Sequence, residues 1–166
     1  DAVIIVTAVL LGKNSGFLAG ALGSALADIV APGGVIFAPI TFIVKGLEGY
    51  FVGRIAHYKR EDIKANEEGN MEYKTETGME QSLLHNKSAG KYEIRKVIAI
   101  IIGTLIMVAG YFIAELSVLK LVDPTFGYTA AITELPFNLI QGGVSAVLGY
   151  VLSTLLQKAG VERLLE

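Results

Sequence analysis

The phrase "ELPFNLIQGG", residues 134–143, carries hydrogen-bonding groups into an otherwise apolar run. Glu134, Asn138, Gln141 and Ser145 recur at i, i+4, i+7 and i+11, the spacing of one helical face. A carboxylate followed by two amides offers donors and acceptors together, which is chemistry for holding a polar molecule. Two further sets share a face in the same way: Thr41, Lys45 and Glu48, and Thr104, Tyr111 and Glu115. Lys45 and Glu48 at i, i+3 also read as a structural ion pair, Asp28 as an interfacial cap and Tyr111 as an interface aromatic. For Glu134, Asn138 and Gln141 three adjacent polar groups exceed what packing needs, so ligand contact is expected there.

Catalytic signatures do not compete with this reading. "LGKNSG" ends like a phosphate loop, but Thr7 stands where its first glycine belongs and Asn14 follows Lys13. HExxH, GxSxG and paired-carboxylate motifs are missing from the sequence. There is no cysteine, and two histidines, His57 and His85, do not make a zinc site alone. A net charge of −2 argues against a nucleic-acid partner.

The elements that must position these residues are membrane helices. The chain is 52% hydrophobic, with a mean hydropathy of +0.55, too apolar for an ordinary soluble domain. Nine of the fourteen Lys and Arg fall between Arg54 and Lys96. The pattern predicts a single all-α transmembrane domain over 1–166, a polytopic helix bundle in a cell membrane, with a polar, flexible cytoplasmic loop over 59–93. Five apolar segments are expected, at about 2–12, 16–31, 35–57, 94–119 and 130–156, with turns at "PGG" and "DPTFG".

The excess of Lys and Arg places the central loop, the tail with Lys158 and Arg163, and Lys13 on the cytoplasmic side. Alternating crossings satisfy all three placements and put Asp1 outside. A chain without a signal peptide starts more comfortably inside, so one further N-terminal helix is expected before Asp1, making six. In this topology the polar faces lie in the outer halves and the inner halves are nearly bare, which describes a cup open to the outside. Gly16, Gly20 and Ser24 have the small-xxx-small spacing of close helix contacts; internal packing is the default, and a docking face for another membrane protein the functional alternative.

The chain resembles the S components of energy-coupling factor (ECF) vitamin transporters along its whole length. The resemblance is carried by "LLGKNSGFLAGALGSALADIVAP", "APITFIVKGLEGYFVGRI", "GYFIAE" and "ELPFNLIQGGVSAVLGY", closest to the riboflavin-type or hydroxymethylpyrimidine-type branch. It implies a six-helix subunit in the prokaryotic plasma membrane that binds a water-soluble vitamin, with no enzymatic activity and no cofactor of its own. It also implies work with a membrane-embedded T component and two ATPase subunits, the S component toppling in the lipid bilayer to carry the ligand inward. The expected substrate-binding residues are Asn138, Gln141, Glu134, Glu115, Tyr111, Lys45 and Glu48. Carboxylates, a lysine, amides and a tyrosine suit a pyrimidine or pyridoxine better than a large flavin. A self-sufficient secondary carrier, or a structural subunit whose polar stripes only pair with one another, are the competing readings. The topology has a direct check: a cysteine at position 69 should stay unlabelled by a membrane-impermeant reagent on intact cells, and labelling there would invert it.

Overall fold

A chain in hydrocarbon must satisfy each backbone N–H and C=O internally, which favours long, uninterrupted helices. The computed structural model describes the backbone of residues 1–70 and 78–161, and the side chains of residues 1–56 and 90–161. Within those residues the chain makes α1 (Ala2–Leu11), α2 (Lys13–Leu18), a π-turn (Ala19–Gly23), α3 (Ser24–Val30) and a short 3₁₀ turn (Gly34–Ile36). These are followed by α4 (Ala38–Asn70), α5 (Gly78–Ala114), a second π-turn (Glu115–Leu119), α6 (Lys120–Val122) and α7 (Tyr128–Lys158). The five expected apolar segments therefore correspond to five helical runs.

One stretch differs from expectation. The polar stretch expected as a loop over 59–93 is helical up to Asn70 and again from Gly78, as the ends of α4 and α5; residues 71–77 lie outside the described residues. Its Glu- and Lys-rich composition has good helix propensity, which the charge-based reading undervalued. Pro136 lies inside α7, which begins at Tyr128, and cannot donate to the Ile132 carbonyl.

The turns have local causes. Gly12 breaks α1 from α2 with φ 85°, a conformation that side-chain-bearing residues rarely adopt. In "DPTFG" the Thr125 backbone N–H and hydroxyl both donate to Asp123 Oδ1, at 2.9 and 2.8 Å. Those two bonds hold the Asp123 carboxyl below its ordinary pKa.

Two stretches have the length and composition to cross a membrane: Gly90–Val122, 33 residues, and Tyr128–Lys158, 31 residues. At 1.5 Å per residue each is roughly 45–50 Å long, more than a hydrocarbon core requires. The distribution of polarity is inverted relative to a water-soluble protein. Leu121, Val30, Val3, Phe137, Ile140 and Val147 are exposed, while Lys45, Glu48, Lys96 and Glu115 are buried.

Small residues let the helices approach. A Cβ at Gly16 would stand 2.5 Å from the Gly49 carbonyl oxygen, one at Gly49 would collide with the Gly16 carbonyl, and one at Gly20 with the Lys45 carbonyl. Gly142 of α7 lies against Thr104 and Met107 of α5, and Gly149 against Ile5 of α1. The apolar core has two parts, one around Ile5, Val9, Val52 and Ile100, the other around Ile40, Val44, Met107 and Leu119. The docking-face expectation for Gly16 and Gly20 thus gives way to packing within the chain, because the α4 backbone occupies the space a partner helix would need. Ser24 is half-buried on α3. Gly49→Val should lower the thermal unfolding midpoint in detergent, overpacking of this kind costing roughly 1–3 kcal/mol. Gly143→Ala, at a site open for 4 Å around, should not; equal midpoints for the two variants would show that the contact is not tight.

Candidate functional site

Lys45 is the centre of the site. It lies on the inward face of α4 with Thr41 and Glu48, and the three are 3%, 3% and 1% exposed. Its ammonium pairs with Asp1 Oδ1 at 2.5 Å and with Glu48 Oε2 at 3.3 Å. Asp1 is held from the other side by Gln141 of α7, whose Nε2 donates to Asp1 Oδ2 at 2.9 Å. Tyr111 of α5 brings its ring to 5.6 Å from the Lys45 ammonium and donates its hydroxyl to Thr41 Oγ1 at 2.9 Å. Four helical runs therefore meet at one level through polar side chains.

One to two turns further along α5, Glu115 opens the second π-turn and is fully buried. The wider turn directs Glu115 and Leu119 inward while Leu116, Ser117 and Val118 stay exposed. Neither Glu115 carboxylate oxygen has a hydrogen-bond partner among the described residues. Its charged neighbour is Glu134, half-buried on α7. Asp28 Oδ2, Thr104 Oγ1, Lys45 Nζ and Glu48 Oε2 are likewise buried without hydrogen-bond partners among the described residues. Such groups cost free energy in a dry interior.

The expected residues are therefore largely brought together. Lys45, Glu48, Tyr111 and Gln141 belong to one linked cluster, and Glu115 and Glu134 form a second group at the same end of the bundle. The stripe on α7 is rotated from its expected position. The helix packs through Ala131, Gly142, Ser145, Gly149 and Ser153, a spine offset by roughly 50° from the polar stripe at 100° per residue. Glu134 and Asn138 consequently lie half-buried at the edge, and Gln141 reaches inward only by its bond to Asp1.

Sequence reasoning missed two things. Asp1 was a topological marker, yet it is the acid that joins α1, α4 and α7; an acid at the outer end of an apolar helix was the available signal. At the opposite end the bundle is not bare. Lys96 is fully buried and donates to Glu93 Oε1 at 3.0 Å, Thr154 Oγ1 at 2.9 Å and Gln157 Oε1 at 3.1 Å, so all three of its protons are taken. The Tyr92 and Tyr150 rings stand 5.6 and 4.9 Å from the same ammonium. Tyr150 donates to Glu93 Oε2 at 3.1 Å. The i, i+3 spacing of Glu93 and Lys96 was the available signal. A cavity of about 500 Å³ between α2 and α4, lined by Asn14, Phe17, Leu18, Leu47 and Tyr50, is apolar and holds none of the expected site residues.

A helical bundle with an apolar exterior, a satisfied polar seal at one end and unsatisfied polar groups at the other has the design of a membrane-embedded binding protein. Residues 1–158 match the family model of the ECF-type riboflavin transporter S component, and the chain belongs to that family. Members are vitamin-binding membrane subunits of ECF transporters, not enzymes. No curated protein and no solved structure matches the chain.

The ion cluster can be tested for its role in the fold. Lys45→Met leaves Asp1 and Glu48 buried without their cation, which typically costs about 3–5 kcal/mol. The thermal midpoint in detergent should fall, and Lys45→Met with Glu48→Gln should regain part of the loss because an unpaired charge has been removed. Additive losses in the double variant would contradict the pairing.

Proposed function

We propose that this chain is the high-affinity capture subunit for a small, water-soluble nitrogen heteroaromatic vitamin or precursor, such as a hydroxymethylpyrimidine or a pyridoxine. It delivers that ligand for ATP-driven uptake with a T component and two ATPase subunits. The end of the bundle carrying Asp1, Lys45, Glu115 and Glu134 faces the outside, and the Lys96 end faces the cytoplasm together with the polar central stretch. The chain is multi-pass. Family membership supports the vitamin-binding role and the partners. The observation that carries the reading is the meeting of α1, α4, α5 and α7 through the Lys45 cluster, next to buried acids that lack donors.

In this reading the residues divide the work. Lys45, Glu48 and Asp1 pair by charge and hold the floor of the cup. Asn138 and Glu134, at the half-buried edge of α7, and Tyr111 and Glu115 on α5 approach the ligand. The Lys96 cluster closes the other end, tying α5 to α7 so that the cup has a single mouth. A ligand that bridges α5 and α7 would stiffen the pair, since it supplies the hydrogen bonds that Glu115 lacks.

Binding and transport give separate checks. Removing one partner of a buried hydrogen bond costs about 1–3 kcal/mol, or roughly a five- to hundred-fold loss of affinity. Asn138→Ala should lose affinity by that order in calorimetric titration, while Ser153→Ala, at the closed end, should not. Unchanged affinity in Asn138→Ala would remove α7 from the site. Concentrative uptake by the chain alone, without ATPase subunits, would contradict the proposed role itself.

A further inference from the structure

Lys13 and Arg54 are two exposed cations on adjoining turns of α2 and α4. The Lys13 backbone lies against Gly53, where a Cβ would stand 2.5 Å from the Lys13 nitrogen. Val52 and Ala56, on either side of Arg54, pack with Ala99 and Ile100 of α5, about one turn from Lys96. The two cations therefore belong to the Lys96 end of the bundle. Neither has an ion pair with an acid among the described residues. The sequence holds no Asp or Glu from Ala2 to Ala27 or from Gly49 to Arg60, so the positive charge there is uncompensated along both helices.

The apolar cavity between α2 and α4 starts at these cations. Asn14 and Tyr50 line it beside them, and Phe17, Leu18 and Leu47 line the rest. Arg54 Nη1 donates to the Tyr50 hydroxyl at 3.3 Å, which brings the guanidinium to that end of the groove. Leu47, Tyr50 and Arg54 recur at i, i+3 and i+7 on α4, and Asn14, Phe17 and Leu18 at i, i+3 and i+4 on α2, so each helix contributes one face. Phe17 lies down on α4 because Gly46 has no side chain there; a Cβ would stand 2.8 Å from its ring. Leu18 and Leu47 are 54% and 40% exposed, so the groove opens sideways from the bundle. Its volume of about 500 Å³ is in the range of ligand sites, yet its polar groups sit at one end only. That shape and polarity fit an amphiphile with an anionic head and an apolar tail.

We propose that this groove is a site for an anionic phospholipid, its phosphate held by Lys13 and Arg54 and one acyl chain lying along Phe17, Leu18 and Leu47. The guanidinium offers parallel N–H donors to phosphate oxygens and the lysine a point charge. The Asn14 amide and the Tyr50 hydroxyl add neutral donors beside them. Tyr50 also suits headgroup depth, with an apolar ring meeting Phe51 edge-on at 5.7 Å and a polar tip toward the cations. Two uncompensated cations favour a headgroup of net negative charge over a zwitterionic one, whose own ammonium they repel. The site draws on the membrane setting of the family and not on the identity of the vitamin. A lipid seated here fixes the depth of α2 and α4 at the Lys96 end, away from the Lys45 cluster.

The test is native mass spectrometry of the delipidated full chain in detergent, titrated with phosphatidylglycerol and with phosphatidylcholine of the same acyl chains. One phosphatidylglycerol per chain should bind at least about ten-fold tighter than phosphatidylcholine, each basic residue near a headgroup adding roughly a five-fold preference. Lys13→Gln with Arg54→Gln should bring the two lipids to within about two-fold of each other. Leu47→Trp, which fills the groove and keeps the cations, should weaken both lipids; Leu18→Trp on the facing helix repeats the test should that variant not fold. Lys158→Gln, which removes a cation near the same end but on α7, should leave the preference unchanged. The same preference in wild type and the Lys13, Arg54 variant would overturn the headgroup site. An equal fall in Lys158→Gln would overturn it too, since the charge would then be read diffusely. Undiminished binding in the Trp variants, or a change in their oligomeric state in place of lipid loss, would overturn the acyl-chain groove, the second outcome pointing to another copy of the chain as its occupant.

Discussion

A lysine ammonium cannot stay charged in a dry helix bundle unless acids come to it, and Lys45 is where this chain meets that constraint. Asp1 from α1 and Glu48 from its own helix supply the counter-charges, and Gln141 from α7 fixes Asp1. Reaching that arrangement requires α1, α4 and α7 to be close, and the glycines make it so. Gly20 lies against the Lys45 carbonyl itself, Gly49 against Gly16, and Gly149 against Ile5. Backbone proximity and charge pairing are one design here: the small residues set the spacing, and the ion cluster selects the register at that spacing.

The two ends of the bundle solve the same problem differently. At the Lys96 end each ammonium proton has an acceptor, and two tyrosine rings flank the charge. At the other end Glu115, Asp28, Glu48 and Lys45 keep buried polar atoms without hydrogen-bond partners. A fully matched cluster rigidifies, whereas an unmatched one is costly until something fills it. That asymmetry distinguishes a matched end of the bundle from an unmatched one. The π-turn at Glu115 is part of the same asymmetry, since it turns a carboxylate inward at the site's edge.

Much of this was legible in the residues. Charge distribution and apolar length gave the five helical runs, and helical spacing found Lys45, Glu48, Tyr111 and Glu115 as inward-facing. The rotation of α7 was not legible, because it is set by which of two competing faces packs. Small residues at Gly142 and Gly149 allow closer approach than the polar stripe does, so the stripe ends at the rim. Asp1 escaped notice because its partners lie 44 and 140 positions away in the chain. The Lys96 cluster was not legible because its acceptors Thr154 and Gln157 lie 58 and 61 positions away in the chain.

The central claim is that the unmatched end of the bundle is a ligand site. Mass spectrometry of the small molecules released on denaturing the purified protein tests it most directly, since a high-affinity subunit retains its ligand through purification. The account predicts one small nitrogen heteroaromatic, in equimolar amount with the chain. Protein that carries no such molecule, and gains none after incubation with a crude vitamin extract, would contradict it.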